Sequence, residues 1–148
     1  MKKILNGLGI KADLKYWKNN FFYYSFLDFL DQIKITYPEL KIYSIVEGLA
    51  ASAGSLMSVV CDKRYIGKNS YILIHQLSSG MSGKYHDIKN DIKNCDEFMD
   101  KIKNIYKKYS KIPIEKIDEI LKNDLYFDAE ICLKYKLVDE IITKPAKL

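Results

Sequence analysis

Lys41-Ile42-Tyr43-Ser44-Ile45-Val46, then Glu47-Gly48-Leu49-Ala50-Ala51-Ser52-Ala53-Gly54-Ser55, then Leu56-Met57-Ser58-Val59-Val60-Cys61: these consecutive stretches decide the fold. The first is rich in β-branched and aromatic residues and reads as a strand. The second is a run of small residues suited to a tight turn. The third continues as a buried helix that starts near Ser52.

The same alternation extends in both directions. Upstream, Phe26, Leu27, Leu30 and Ile33 recur at helical spacing within an apolar stretch from Phe21 to Ile33, and Pro38 rules out helix just before it. The first twenty residues are the least readable part. Downstream, Ser70-Tyr71-Ile72-Leu73-Ile74-His75 is a second strand, apolar enough to be buried on both faces. Gly80 and Gly83 mark a flexible turn. Ile88, Ile92, Cys95, Met99, Ile102, Ile105 and Tyr109 then predict one long amphipathic helix. Pro113 suits the first turn of a helix ending near Leu121, and Asp128 suits the cap of a short one, Ala129 to Tyr135. Leu137 to Ile142 closes as a strand. Strands alternating with helices imply an α/β fold with a mainly parallel sheet.

At 148 residues the chain reads as a single domain, 1–148, with an adequate core. Apolar residues form 48% and charged residues 29%, the balance of a globular protein. No stretch reaches the ~20 apolar residues of a membrane span, and the apolar run after Met1-Lys2-Lys3 is too short for a secretory signal. The expected setting is therefore cytoplasmic, without membrane association. Cys61, Cys95 and Cys132 are odd in number and widely spaced, without zinc spacing, and read as small buried hydrophobes. No metal site is expected. The net charge is +5. Lys101, Lys103, Lys107, Lys108 and Lys111 alternate with Ile102, Ile105, Tyr106 and Tyr109, the pattern of a helix with one wet face rather than a nucleic-acid surface.

Chemistry gathers at three places. Ser52 sits among small residues with a helix start behind it, which allows close approach of a carbonyl and supplies Ala53 N–H as an oxyanion donor. Small-residue turns into helices also serve packing alone. His75 ends an apolar strand, where α/β sheets place their sites, and a satisfied buried histidine is the competing reading. His86, within Lys84-Tyr85-His86-Asp87, reads as surface. Asp124 stands between two helices just before Leu125-Tyr126-Phe127, and could orient an imidazole or simply occupy a turn.

Taken together, Gly48-Leu49-Ala50-Ala51-Ser52-Ala53-Gly54, Ile74-His75-Gln76 and Asp124-Leu125-Tyr126-Phe127-Asp128-Ala129-Glu130 resemble three segments of the Clp protease proteolytic subunit, in the same order and at similar separations. Lys63-Arg64-Tyr65, Asn69-Ser70, Gly80-Met81-Ser82-Gly83, Asp87-Ile88 and Leu137-Val138-Asp139 match intervening landmarks. The resemblance runs from about Tyr43 to Ile142. It implies a Clp/crotonase-type fold of stacked βαβ units with a protruding handle helix. It also implies a serine endopeptidase in which Ser52 attacks, His75 carries the proton and Asp124 orients His75. Such subunits form homo-oligomers of stacked heptameric rings, enclose their sites, and receive unfolded polypeptides from an ATP-dependent unfoldase, with no cofactor in the subunit.

The resemblance has gaps. The family's Asn-Ser-Pro-Gly-Gly-like loop, source of a second oxyanion N–H, should fall in Ile10 to Phe21, which holds no glycine. Asn6-Gly7-Leu8-Gly9 is a displaced candidate, and 1–20 reads as divergent or shortened. Lys136 replaces a glycine that commonly follows the last helix, a substitution that costs about 1 kcal/mol in a left-handed cap. A catalytically impaired or inactive structural subunit is therefore the alternative. An acyl-CoA enzyme of the crotonase type would need no Ser-His-Asp set, and a membrane-anchored Ser-Lys peptidase would need neither His75 nor Asp124.

Overall fold

The computed structural model describes residues 21–143, with side chains from Phe26 onward. The stretch 1–20, read from the sequence as divergent or shortened, lies outside the described residues, including Asn6 to Gly9 and all but the last residue of Ile10 to Phe21.

The chain runs α1 (Phe21–Thr36), β1 (Tyr43–Val46), β2 (Leu49–Ala51), α2 (Ala53–Val59), β3 (Lys63–Gly67) and β4 (Tyr71–Ile74). It continues through α3 (Tyr85–Tyr109), α4 (Ile114–Lys122), β5 (Leu125–Phe127), α5 (Ala129–Lys134) and β6 (Glu140–Ile142). The helices lie close to where periodicity, Pro113 and Asp128 place them. Asp128 caps α5 through its side chain, with Oδ1 accepting from Ile131 N at 2.8 Å.

The strands form two sheets rather than one. The first has the order β1-β3-β6, all parallel, and the second β2-β4-β5, with β2 parallel and β5 antiparallel to the central β4. The chain steps between them: β1 to β2 through a turn at Gly48 (φ 80), then α2, then β3 and β4. Helix α2 thus lies in the crossovers of two of the three parallel pairs, β1–β3 and β2–β4, as stacked βαβ units require. The hydrophobic core includes Val59, Ile66, Ile72, Ile74, Leu121 and Val138, all nearly water-free.

Three strands escape the sequence reading. β2 is built of small residues, β3 begins Lys63-Arg64, and β5 has only three residues. Pairing with β4 and β1 makes them strands, not their own propensity. β4 is also less enclosed than its composition suggests. Ile72 and Ile74 are buried, but Tyr71 is exposed and Leu73 half-buried, so only one of the strand's two faces is fully enclosed.

The first sheet is clamped at one end. The Arg64 guanidinium donates to both Asp139 oxygens (Nε 3.1 Å, Nη2 2.8 Å), to Tyr109 O at the end of α3 (2.7 Å) and to Val59 O at the end of α2 (3.3 Å). Asp139 Oδ2 also accepts from Arg64 N at 2.9 Å, and Asp139 N donates to Arg64 O at 2.8 Å. The Arg64 hydrogen bonds hold the Asp139 carboxyl below the ordinary carboxylate range, against a smaller opposing effect of burial. Lys136 takes φ 55 after α5, the left-handed position expected there of glycine.

Helix α3 has two characters. Its last turns meet the core, with Tyr106 buried and Ile102, Ile105 and Tyr109 half-buried. From Tyr85 to Glu97 only Ile88 and Cys95 are even half-buried. The helix projects from the body, and its lysines line the wet side.

Candidate active site

One edge of the second sheet gathers the residues singled out in the sequence. Ala51 stands opposite Leu73 across β2 and β4, and Ile74 stands opposite Leu125 across β4 and β5. Ser52 follows β2, His75 follows β4, and Asp124 immediately precedes β5. Continuing the antiparallel register by one residue sets Asp124 opposite His75. Topology therefore carries a hydroxyl, an imidazole and a carboxylate to the ends of three adjacent strands.

Ser52 is half-buried and holds φ 54, ψ −122, a left-handed backbone rare outside glycine. Such strain costs on the order of 1–3 kcal/mol and persists only where neighbours over-determine it. Here they do. Ser52 N donates to Leu73 O at 3.3 Å, fixing the residue to β4. Its carbonyl accepts from Ser55 N (3.1 Å), Leu56 N (3.3 Å) and Ser55 Oγ (2.6 Å). Ala53 then opens α2, and the first amides of a helix have no carbonyl of their own helix to bond.

His75 is half-buried, and its Nδ1 lies 2.7 Å from Gln76 O. Gln76 is moored to the end of α4, with its N–H donating to Leu121 O at 2.9 Å and Nε2 reaching Lys122 O at 3.5 Å. This mooring draws the segment after His75 toward the chain leading to Asp124. Asp124 itself is exposed and takes φ 49. Among the described residues no hydrogen bond joins the Ser52, His75 and Asp124 side chains to one another. The backbone brings them to one edge; their side chains do not meet in the single chain.

His86 lies where the sequence suggests; of the three cysteines read as buried, Cys132 is buried but Cys61 and Cys95 are only half-buried. His86 is exposed on the first turn of α3, edge-on to Tyr85. Burial raises the pKa of the Cys61 thiol and pushes Cys132 up to about 12, so neither offers a thiolate near neutral pH. No three His, Cys, Asp or Glu side chains among the described residues gather to hold a metal ion.

Sequence reasoning misses two polar groups beneath Ser52. Ser55 Oγ lies 2.7 Å from Tyr106 Oη, and both residues are buried. The available signal was Tyr106 itself, a hydroxyl on the apolar stripe of α3, since buried tyrosines generally find a partner.

Comparison with known proteins agrees with this architecture. The Clp protease family profile matches residues 24–145, and the chain belongs to that family. It is 33% identical over 108 residues to an ATP-dependent Clp protease proteolytic subunit of Deinococcus radiodurans, covering 72% of this chain and 53% of that protein. It is 31% identical over 121 residues to ATP-dependent Clp protease proteolytic subunit 2 of Bacillus licheniformis, covering 80% and 61%. The subunit 2 protein of Treponema pallidum is 31% identical over 116 residues, covering 77% and 58%. The chain thus spans little more than half the length of these relatives. Its fold is the Clp/crotonase type, with α3 as the protruding helix. Among the described residues no helix is long and apolar enough to cross a membrane.

Proposed function

We propose that the protein is a serine endopeptidase subunit that cuts unfolded polypeptides. Ser52 is the nucleophile, His75 the general base and acid, Asp124 the residue that orients His75, and Ala53 N–H an oxyanion donor. The observation that carries this reading is the shared sheet edge, where neighbouring strand ends present Ser52, His75 and Asp124. The strained Ser52 backbone ahead of a helix start supports it further.

In this mechanism His75 swings from the Gln76 carbonyl until Nδ1–H faces Asp124 and Nε2 faces Ser52. Ser52 Oγ then attacks the peptide carbonyl, His75 takes its proton and returns it to the leaving amine, and water releases the acyl group. Ring assembly orders the exposed Asp124 and the segment after His75. The working form is a homo-oligomeric chamber in the cytoplasm, served by an ATP-dependent unfoldase.

A fluorophosphonate probe tests the proposal. The expected result is a covalent adduct on Ser52 of the assembled protein, absent in Ser52→Ala. The separation of the three side chains and the glycine-free stretch before α1 favour one second reading, an impaired or inactive structural subunit. Failure of the assembled protein to label would establish that alternative.

A further inference from the structure

We infer that Ser55 and Tyr106 are positioning residues that aim the Ala53 amide at the oxyanion, linking the root of the protruding helix to the reaction centre. The inference rests on the peptidase reading of Ser52.

Hydrogen bookkeeping fixes the direction of the chain. The Ser52 carbonyl can only accept, so the single Ser55 hydroxyl proton points to it over 2.6 Å. Ser55 Oγ must then accept in its 2.7 Å contact with Tyr106, whose phenol donates. Burial raises the Tyr106 pKa, outweighing the opposing pull of the Ser55 bond, so the phenol keeps its proton at working pH. Bonds in such a series polarise one another, strengthening the last one.

Peptide geometry converts that bond into aim. Ser52 C=O and Ala53 N–H share one planar unit, and none of the described peptides is cis, so the two point in opposite directions. Three donors on the inner side hold the carbonyl toward α2. The Ala53 N–H is thereby turned outward, on the side where a substrate carbonyl would sit. Ser52 has φ 54, a backbone that relaxes readily unless held. Without the Ser55 hydroxyl two backbone donors remain, at 3.1 and 3.3 Å, and the plane is free to rock.

The test compares Ser55→Ala, Tyr106→Phe, the double variant and Ser55→Thr in the full chain, using a fluorogenic peptide, a peptide boronate and thermal melting. Losing an oxyanion donor outright costs 10²–10³ in turnover, so mis-aiming one predicts a kcat about ten-fold lower in Ser55→Ala, with KM changed by less than about two-fold. Boronate affinity should fall in step with kcat. Tyr106→Phe, which keeps the ring and the core filled, should lose about three-fold, and the double variant should match Ser55→Ala because the two act in series. Ser55→Thr should restore turnover. The inference is overturned if Ser55→Ala and Tyr106→Phe melt earlier yet keep kcat, or if their losses multiply in the double variant. Should Ser55→Ala fail to fold, Tyr106→Phe alone decides, through kcat and boronate affinity. Wild-type protein that labels at Ser52 while the variants keep kcat defeats this inference only. Wild-type protein that never labels defeats the peptidase reading and this inference with it.

Discussion

The two sheets have the same number of strands and share a crossover helix, yet their ends are built differently. At the end of β1-β3-β6, Arg64 and Asp139 satisfy each other and two helix carboxyl ends, leaving little free to move. At the end of β2-β4-β5, Ser52 and Asp124 hold left-handed backbones, and His75 turns to its own neighbour's carbonyl. The lesson is a division of labour. One end ties its polar groups into the fold, and the other keeps the strained backbone that the proposed peptidase chemistry would use.

Substitutions that separate stability from activity would break or sharpen this contrast. The largest effect belongs to the second sheet: Ser52→Ala should lower peptide hydrolysis by ~10³-fold or more, with a melting temperature close to wild type. Next comes the first sheet. Arg64→Ala should cost about 2–3 kcal/mol in urea unfolding, since it strands a partly buried carboxylate and two helix carbonyls. A variant that unfolds at the wild-type urea midpoint would remove the clamp from the account.

The clamp also sets a pH dependence. Asp139 has a folded-state pKa below its unfolded value, so its contribution is present above the unfolded pKa and disappears as pH falls through the folded one. Stability should therefore decline between mildly acidic and strongly acidic pH, and Arg64→Ala should flatten that decline. Asp128→Ala, which removes the α5 cap, should cost about 1 kcal/mol by the same urea assay. The smallest effect runs the other way: Lys136→Gly should stabilise by roughly 0.5–1 kcal/mol, because glycine adopts φ 55 without strain.

How much of this was legible depends on the physics of each element. The helices carry their own evidence: Ile88 to Tyr109 repeat with the helix, and Asp128 supplies an acceptor where α5 needs one. Lys136 was readable as a misplaced residue in a left-handed cap, and it has that conformation. The short strands were not readable, because Leu49-Ala50-Ala51 and Leu125-Tyr126-Phe127 become strands only through their partner β4. The split into two sheets lies in the pairing, which no local period records. At the candidate site only the strand ending at His75 was visible, whereas the Nδ1 contact of His75 with Gln76 depends on a side-chain torsion that spacing does not encode. The bond between Ser55 and Tyr106 joins residues 51 apart in the chain, and nothing in either neighbourhood announces the other.

Helix α3 is also a lever. At about 1.5 Å per residue, its tip near Tyr85 lies ~32 Å from the fulcrum at Tyr106, so a tilt of roughly 5° at the root sweeps the tip through ~3 Å. Read backward, a push of several ångströms on the far end reaches Ser55 as a displacement of tenths. That gearing delivers a coarse shove from outside the body as a fine adjustment beneath Ser52.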